Sequence, residues 1–179
     1  MTSQTQVGPA TLDDAAAIAA IYGHYVEHGT ATFETEPPST GEMAERMRRV
    51  MEGGYPWLVV RGGGGEALGY AYASRFHPRD GYRYTCEVSI YVRHDSLGRG
   101  LGTALITALI DECETRGFRQ AIAVIAGTEP ASVVLHARNG FRPCGTLQKV
   151  GRKHGQWIDV FFMQRSLGEG GDSAPPEEP

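Results

Sequence analysis

Two features of the chain could do chemistry. The first is a run of alternating glycines, Leu97-Gly98-Arg99-Gly100-Leu101-Gly102-Thr103, placed where a strand pattern gives way to a helical one. Glycines at 98, 100 and 102 let the backbone approach a ligand closely. A helix start aims unpaired N–H groups and a positive dipole end at whatever lies there. A pyrophosphate suits that chemistry, but spacing alone leaves other readings open. A dinucleotide fold would place its glycines after the first strand of a βαβ unit, whereas three strand-like segments precede these. A nucleotide P-loop needs Gly-Lys-Ser/Thr, and this stretch has no lysine. A glycine turn that only permits tight packing is an equal alternative.

The second feature is Glu87, a lone carboxylate in the otherwise uncharged run Tyr84 to Val92. Partial burial would raise its pKa and make it a usable base, while a solvent-facing strand glutamate is the commoner case. His24 and His28 stand one helical turn apart, as two metal ligands might, yet no third ligand is evident. They read as structural, and no metal is expected.

These residues need a scaffold. Thr11-Leu12-Asp13-Asp14 signals a first helix, with Ile18, Ile21, Tyr22, Tyr25 and Val26 at helical spacing. A second helix starts near Ser39-Thr40, carries Met43, Met47, Val50 and Met51, and stops at Gly53-Gly54. Strands are expected at 57–60, 67–76 and 84–92, the first two joined by a four-glycine link. A strong amphipathic helix covers 101–115, with Gly117 as its C-cap. Residues 121–126 are apolar on both alternating faces, as in a strand covered from both sides. A short helix from Pro130 to Asn139-Gly140 and two strands, 141–147 and 156–162, complete the order. The fold class is therefore α/β (α+β layered), a mixed central sheet with helices on both faces.

The bulk composition narrows the partners. At 179 residues the chain fits a single domain. Its 41% hydrophobic and 21% charged residues are those of a soluble globular protein. A net charge of −4 gives no general attraction to nucleic acid or an anionic membrane, so neither is expected as a partner. No apolar run approaches the roughly 18 residues of a membrane span, and the N-terminus lacks a signal-peptide pattern, which makes the cytoplasm the expected address. Cys86, Cys113 and Cys144 have no metal or redox spacing. Residues 168–179, rich in glycine, proline and acid, are expected to form a disordered tail after a domain at 1–167.

The strand–glycine loop–helix arrangement resembles the acetyl-CoA site of GNAT N-acetyltransferases, whose loop reads Gln/Arg-x-x-Gly-x-Gly/Ala. Leu97 stands here where Gln or Arg is usual. Longer segments resemble the phosphinothricin acetyltransferase branch in its order: Thr30–Pro37, Tyr55–Val59, Tyr82–Val92, Ala131–Phe141 and Gly151–Val160. Glu129 departs from the asparagine frequent in that branch.

The resemblance implies a GNAT fold and acetyl transfer from acetyl-CoA to the amino group of a small amino acid such as phosphinothricin, methionine sulfone or methionine sulfoximine. Transfer would be direct, in a ternary complex with Glu87 as general base. It assigns a backbone oxyanion donor to Ile90, Tyr91 and Val92, and cofactor contacts to Leu97, Gly98, Arg99, Gly100, Leu101, Gly102, Thr103, Glu129 and Ser132. His136 occupies the place of a thiolate-protonating tyrosine, as an acid or as a cofactor contact. Phe33, Arg79, Tyr82 and Arg83 would line the acceptor pocket, with Lys153 reaching it from the second subunit of a homodimer. Acetylation of protein N-termini or polyamines, or a non-catalytic acyl-CoA sensor, are the competing functions.

Overall fold

A computed structural model describes residues 5–127 and 129–177. In chain order its elements are β1 (Gln6–Pro9), α1 (Ala15–His28), α2 (Thr40–Glu52), β2 (Trp57–Arg61), β3 (Ala67–Arg75) and β4 (Thr85–Val92). These are followed by α3 (Leu101–Thr115), β5 (Gln120–Ala126), α4 (Pro130–Arg138), β6 (Arg142–Lys153) and β7 (Gln156–Ser166). One seven-stranded sheet runs in the order β1-β2-β3-β4-β5-β7-β6. Among the described residues only β4 and β5 pair in parallel; every other neighbour is antiparallel.

Two apolar cores sit on opposite faces of the sheet. One gathers Leu101, Leu105, Ile106, Leu109 and Ile110 of α3 against inward residues such as Val60, Ala71, Val88 and Ala123. The other gathers Ile18, Tyr22 and Val26 of α1 with Met43 and Met47 of α2 over Trp57, Val59 and Tyr70. Because side chains alternate across a strand, Cys86 and Val88 of β4 belong to the first core, and Tyr91 packs against the second. Glu87, two pleats from Tyr91, shares the second face. The layered α/β architecture is the one the periodicity predicts.

Local signals account for the helix ends. Ser39 Oγ accepts from Glu42 N at 3.2 Å, and Glu42 Oε2 accepts from Ser39 N at 2.7 Å, a reciprocal cap on α2. Thr11 caps a short 3₁₀ turn rather than α1 itself, which begins at Ala15. Gly117 takes φ 85° just past α3.

Two strand features escape the sequence patterns. β1 is a four-residue edge strand with no alternation to read. β6 runs to Lys153, well beyond the expected 147, because its outer edge is exposed almost throughout and so lacks the apolar pattern of a buried strand. Residues 168–177, expected within a disordered tail, follow β7 as turns. Arg119 reaches Glu169 at 3.4 Å and Ser173 at 3.2 Å, and the Tyr84 hydroxyl bonds the Glu177 carbonyl. Residues 178 and 179 of that expected tail lie outside the described residues. No helix among the described residues is long and apolar enough to cross a membrane.

Candidate active site

The parallel pair β4–β5 is in register only from Thr85↔Gln120 to Val88↔Ala123. Past that point the strands part, while β4 continues its pairing with β3 to Val92 and β5 its pairing with β7 to Ala126. The split strands give a cleft of about 490 Å³ lined by Val88 to Val92 on one side and Ala123 to Ala126 on the other. Strand edges that face each other without pairing present backbone N–H and C=O groups to whatever fills the gap.

The glycine loop closes one end of this cleft. Gly98 and Gly100 adopt φ 73° and 76°, a left-handed backbone that disfavours side chains, and the space where a Cβ would stand is open at both. Gly100 caps α3, and the first intrahelical bond runs from Ala104 N to Gly100 O at 3.1 Å. The N–H groups of Leu101, Gly102 and Thr103 thus have no acceptor within the helix and face the cleft end, where an anion is favoured. Gly102 serves packing instead: a Cβ there would meet Leu135 Cδ2 at 3.2 Å. Leu97, Gly98, Gly100, Leu101, Gly102 and Thr103 line the cleft, as do Glu129 and Ser132. Arg99, exposed, does not. This donor set and cleft fit the diphosphate and extended arm of acetyl-CoA.

Glu87 is half-buried on β4, immediately before the residues that line the cleft. Burial holds its pKa above the ordinary carboxylate value. Its cross-strand partner is Ser74, and Tyr72, hydrogen-bonded to Ser89, lies close enough for the Glu87 charge to act on it.

His136 is 4% exposed and lines the cleft. Its Nδ1 lies 2.8 Å from the Ser132 carbonyl, which can only accept, so the neutral ring carries its proton on Nδ1. Nε2 is buried and without a partner among the described residues, and burial lowers the pKa. A neutral ring in this tautomer has no proton to give from Nε2.

The residues expected at the acceptor pocket separate. Phe33 lies over Gly151, where a Cβ would come within 2.0 Å of its ring. Lys153 is turned into its own chain rather than toward a second subunit: its Nζ donates to Thr32 O at 2.9 Å and Tyr25 O at 3.3 Å. The left-handed turn at His154 and Gly155 folds the hairpin so that the ammonium meets these two carbonyls, and burial lowers its pKa. Arg79, Tyr82 and Arg83 sit on an exposed 3₁₀ turn before β4. There the Tyr82 ring packs on Phe76 and His77, and Arg83 lies over Tyr84.

A second cavity, of about 620 Å³, opens between α2 and the sheet and contains Arg46, Trp57, Tyr72 and Ser74. Sequence reasoning missed it, because its lining comes from residues 22 to 75 with no short motif. Tyr25 and Arg138 of the first cleft were missed likewise. The Tyr25 hydroxyl donates to Val92 O at 2.5 Å, tying α1 to the end of β4. His24 stacks on His94 at 4.0 Å, and no group of three suited to a metal occurs among the described residues.

Known proteins share this arrangement. The family description "Acetyltransferase (GNAT) domain" matches residues 9–162. A phosphinothricin N-acetyltransferase of Alcaligenes faecalis is 46% identical over 92% of this chain and 83% of its own length. An L-methionine sulfoximine/L-methionine sulfone acetyltransferase of Pseudomonas aeruginosa is 38% identical over 86% of this chain and 90% of its own. The crystal structure of a phosphinothricin acetyltransferase from Sinorhizobium meliloti, in complex with acetyl-CoA, superposes with a TM-score of 0.94 at 44% identity. The match covers 99% of this chain and 95% of that one.

Proposed function

The chain belongs to the GNAT acetyltransferase family and is an acetyl-CoA-dependent N-acetyltransferase, and on that premise we propose that its acceptor is the α-amine of a small amino acid. Phosphinothricin, methionine sulfone and methionine sulfoximine are the acceptors to try first, since relatives at 46% and 38% identity carry those names. The observation that carries this reading is the position of Glu87. It is a half-buried carboxylate on the strand whose next residues wall the cofactor cleft.

Bound acetyl-CoA supplies the thioester whose acetyl group is transferred. Ile90, Tyr91 and Val92 offer a backbone N–H to the carbonyl oxygen, where negative charge develops as the amine adds. The acceptor ammonium must first lose a proton, and Glu87 takes it directly or through water. The amine then forms the C–N bond as the C–S bond breaks, and the coenzyme A sulfur leaves as a thiolate that takes up, directly or through water, the proton the new amide nitrogen sheds. Gly98, Gly100, Leu101, Gly102 and Thr103 hold the diphosphate through backbone donors, with Leu97, Glu129 and Ser132 beside the cofactor and Arg99 outside the cleft. His136 acts as a hydrogen-bond acceptor at the cofactor cleft, since its proton sits on Nδ1. Phe33 and Lys153 shape the acceptor side, and Arg79, Tyr82 and Arg83 lie on its outer approach.

Two copies would pair through the exposed β6–β7 hairpin, where Leu147, Val150 and Trp157 are 50%, 53% and 60% exposed. The cytoplasm, where acetyl-CoA is made and used, is the place this chemistry calls for.

The test is thiol release from acetyl-CoA against a panel of amino acids, peptides and polyamines. Turnover concentrated on phosphinothricin and methionine sulfone supports the reading. Turnover on peptides or polyamines in their place overturns the acceptor class and leaves the transferase.

A further inference from the structure

The open end of the cofactor cleft is crossed by one short segment of chain. Tyr25, in the last turn of α1, donates through its hydroxyl to Val92 O at 2.5 Å, at the end of β4. Thr30 stands at the end of β5: a Cβ on Gly127, which follows that strand, would come within 2.7 Å of Thr30 Oγ1. Residues 25–30 therefore run from one parted strand to the other, and Tyr25 and Ala31 both line the cleft. Residues 29–39 belong to no helix or strand. Backbone of that kind opens readily unless something ties it down.

The tie comes from the β6–β7 hairpin. Lys153, the last residue of β6, is 4% exposed, and its Nζ donates to Tyr25 O at 3.3 Å and to Thr32 O at 2.9 Å. These two carbonyls flank the crossing. Tyr25 O also accepts from Gly29 N at 3.1 Å, so the ammonium sits at the C-terminal, negative end of α1, where a cation is favoured. The Glu34 charge further favours its ammonium form. Thr32 Oγ1 lies 2.7 Å from the Tyr22 hydroxyl, which leaves the Thr32 carbonyl to Lys153. Lysine is rarely buried, and an apolar side chain would fill the same space without the cost of desolvating a charge. What the ammonium adds is a hydrogen bond to each end of the crossing.

We propose that residues 25–32 are a strap across the mouth of the acetyl-CoA cleft and that Lys153 is the positioning residue that fastens it. The strap holds the parted ends of β4 and β5 at the spacing the cofactor arm fills. Loosening it weakens coenzyme A whatever the acceptor, so failure of the amino-acid reading leaves the strap untouched.

Amide hydrogen exchange and calorimetry with coenzyme A, on the full chain, test this. In the wild-type protein, saturating coenzyme A should slow exchange in residues 26–32. Lys153→Met keeps the length and apolar stem of the side chain and removes its donors. It is expected to speed exchange in 26–32 at least about 10-fold and to raise the Kd of coenzyme A at least about fivefold, the scale of a lost hydrogen bond to a charged group. The amides of α3 should exchange at the parental rate. Tyr25→Phe removes the fastening to Val92 O and should act in the same direction. Because both residues hold one strap, the double variant should bind no more than about twofold more weakly than the weaker single variant. Parental exchange in 26–32, a parental Kd, faster exchange spread equally over α3, or single effects that multiply in the double variant would overturn the strap. Should Lys153→Met fail to fold, Tyr25→Phe decides alone: faster local exchange with weaker coenzyme A binding supports the strap, and parental values of both overturn it.

Discussion

The two cavities of this molecule are built from different materials. The cleft between β4 and β5 is made largely of backbone: strand edges that part after Val88↔Ala123, two left-handed glycines, and the open start of α3. The cavity between α2 and the sheet is made of side chains, with aromatic rings stacked at 4.2 to 5.9 Å and arginines tied to carboxylates. A backbone site recognises what every bound molecule of one cofactor has in common, its phosphates and amide arm. A side-chain site can be retuned one residue at a time. Glu87 stands on the strand between them, with its successors walling one cavity and its cross-strand partner the other.

This contrast can be broken at its hinge first. Glu87→Gln should lower kcat at least about 100-fold with acetyl-CoA affinity nearly unchanged, the scale of general-base loss; parental turnover would remove Glu87 from the chemistry. The pH profile gives the sign. The base works deprotonated, and burial raises its pKa. The acidic limb of kcat/KM should therefore lie above the ordinary carboxylate range, with activity falling as pH drops through it, and should vanish in the variant.

Next comes the backbone side. Gly100→Val forces a β-branched residue into φ 76°. Left-handed strain of about 1–2 kcal/mol should weaken acetyl-CoA binding by roughly 10-fold, measured by calorimetry, with little effect on acceptor KM. Equal loss for both substrates would mean that the loop serves the whole fold rather than one site.

A smaller effect is expected where the loop between α1 and α2 meets the β6–β7 hairpin. Gly151→Ala places a Cβ within 2.0 Å of the Phe33 ring and must displace it. Acceptor KM should rise several-fold, cofactor affinity should hold, and the melting temperature should fall by no more than a few degrees.

Smallest of all should be His136→Asn. If His136 is an acceptor and not an acid, kcat should fall less than about 10-fold, with the basic limb of the pH profile unmoved. A shift of that limb would restore it as a proton donor.

Much of this was legible in the chain. The helix starts at Ser39 and Pro130, the glycine loop, the strand at 121–126 and the lone Glu87 each follow from short-range patterns that burial or backbone geometry enforces. That strand is covered on one face only, not both: Ala121, Ala123 and Ile125 are buried while Val124 is 36% exposed, because its other face looks into the cofactor cleft. Features without such a pattern were not legible. β1 is short, and β6 is exposed, so neither carries an alternation. Lys153 looked like a reaching cation and is instead buried against two carbonyls, because two left-handed residues, His154 and Gly155, fold its hairpin back on α1.

The sequence by itself determined the helices, the strands that carry an apolar pattern, the order in which these follow, and the loop whose glycines leave room for an anion. These depend on the backbone preferences of neighbouring residues. Only the tertiary structure decided where β4 and β5 part, and that Arg46, Trp57, Tyr72 and Ser74 share one cavity. Those outcomes depend on contacts between segments tens of residues apart, which local propensity does not encode.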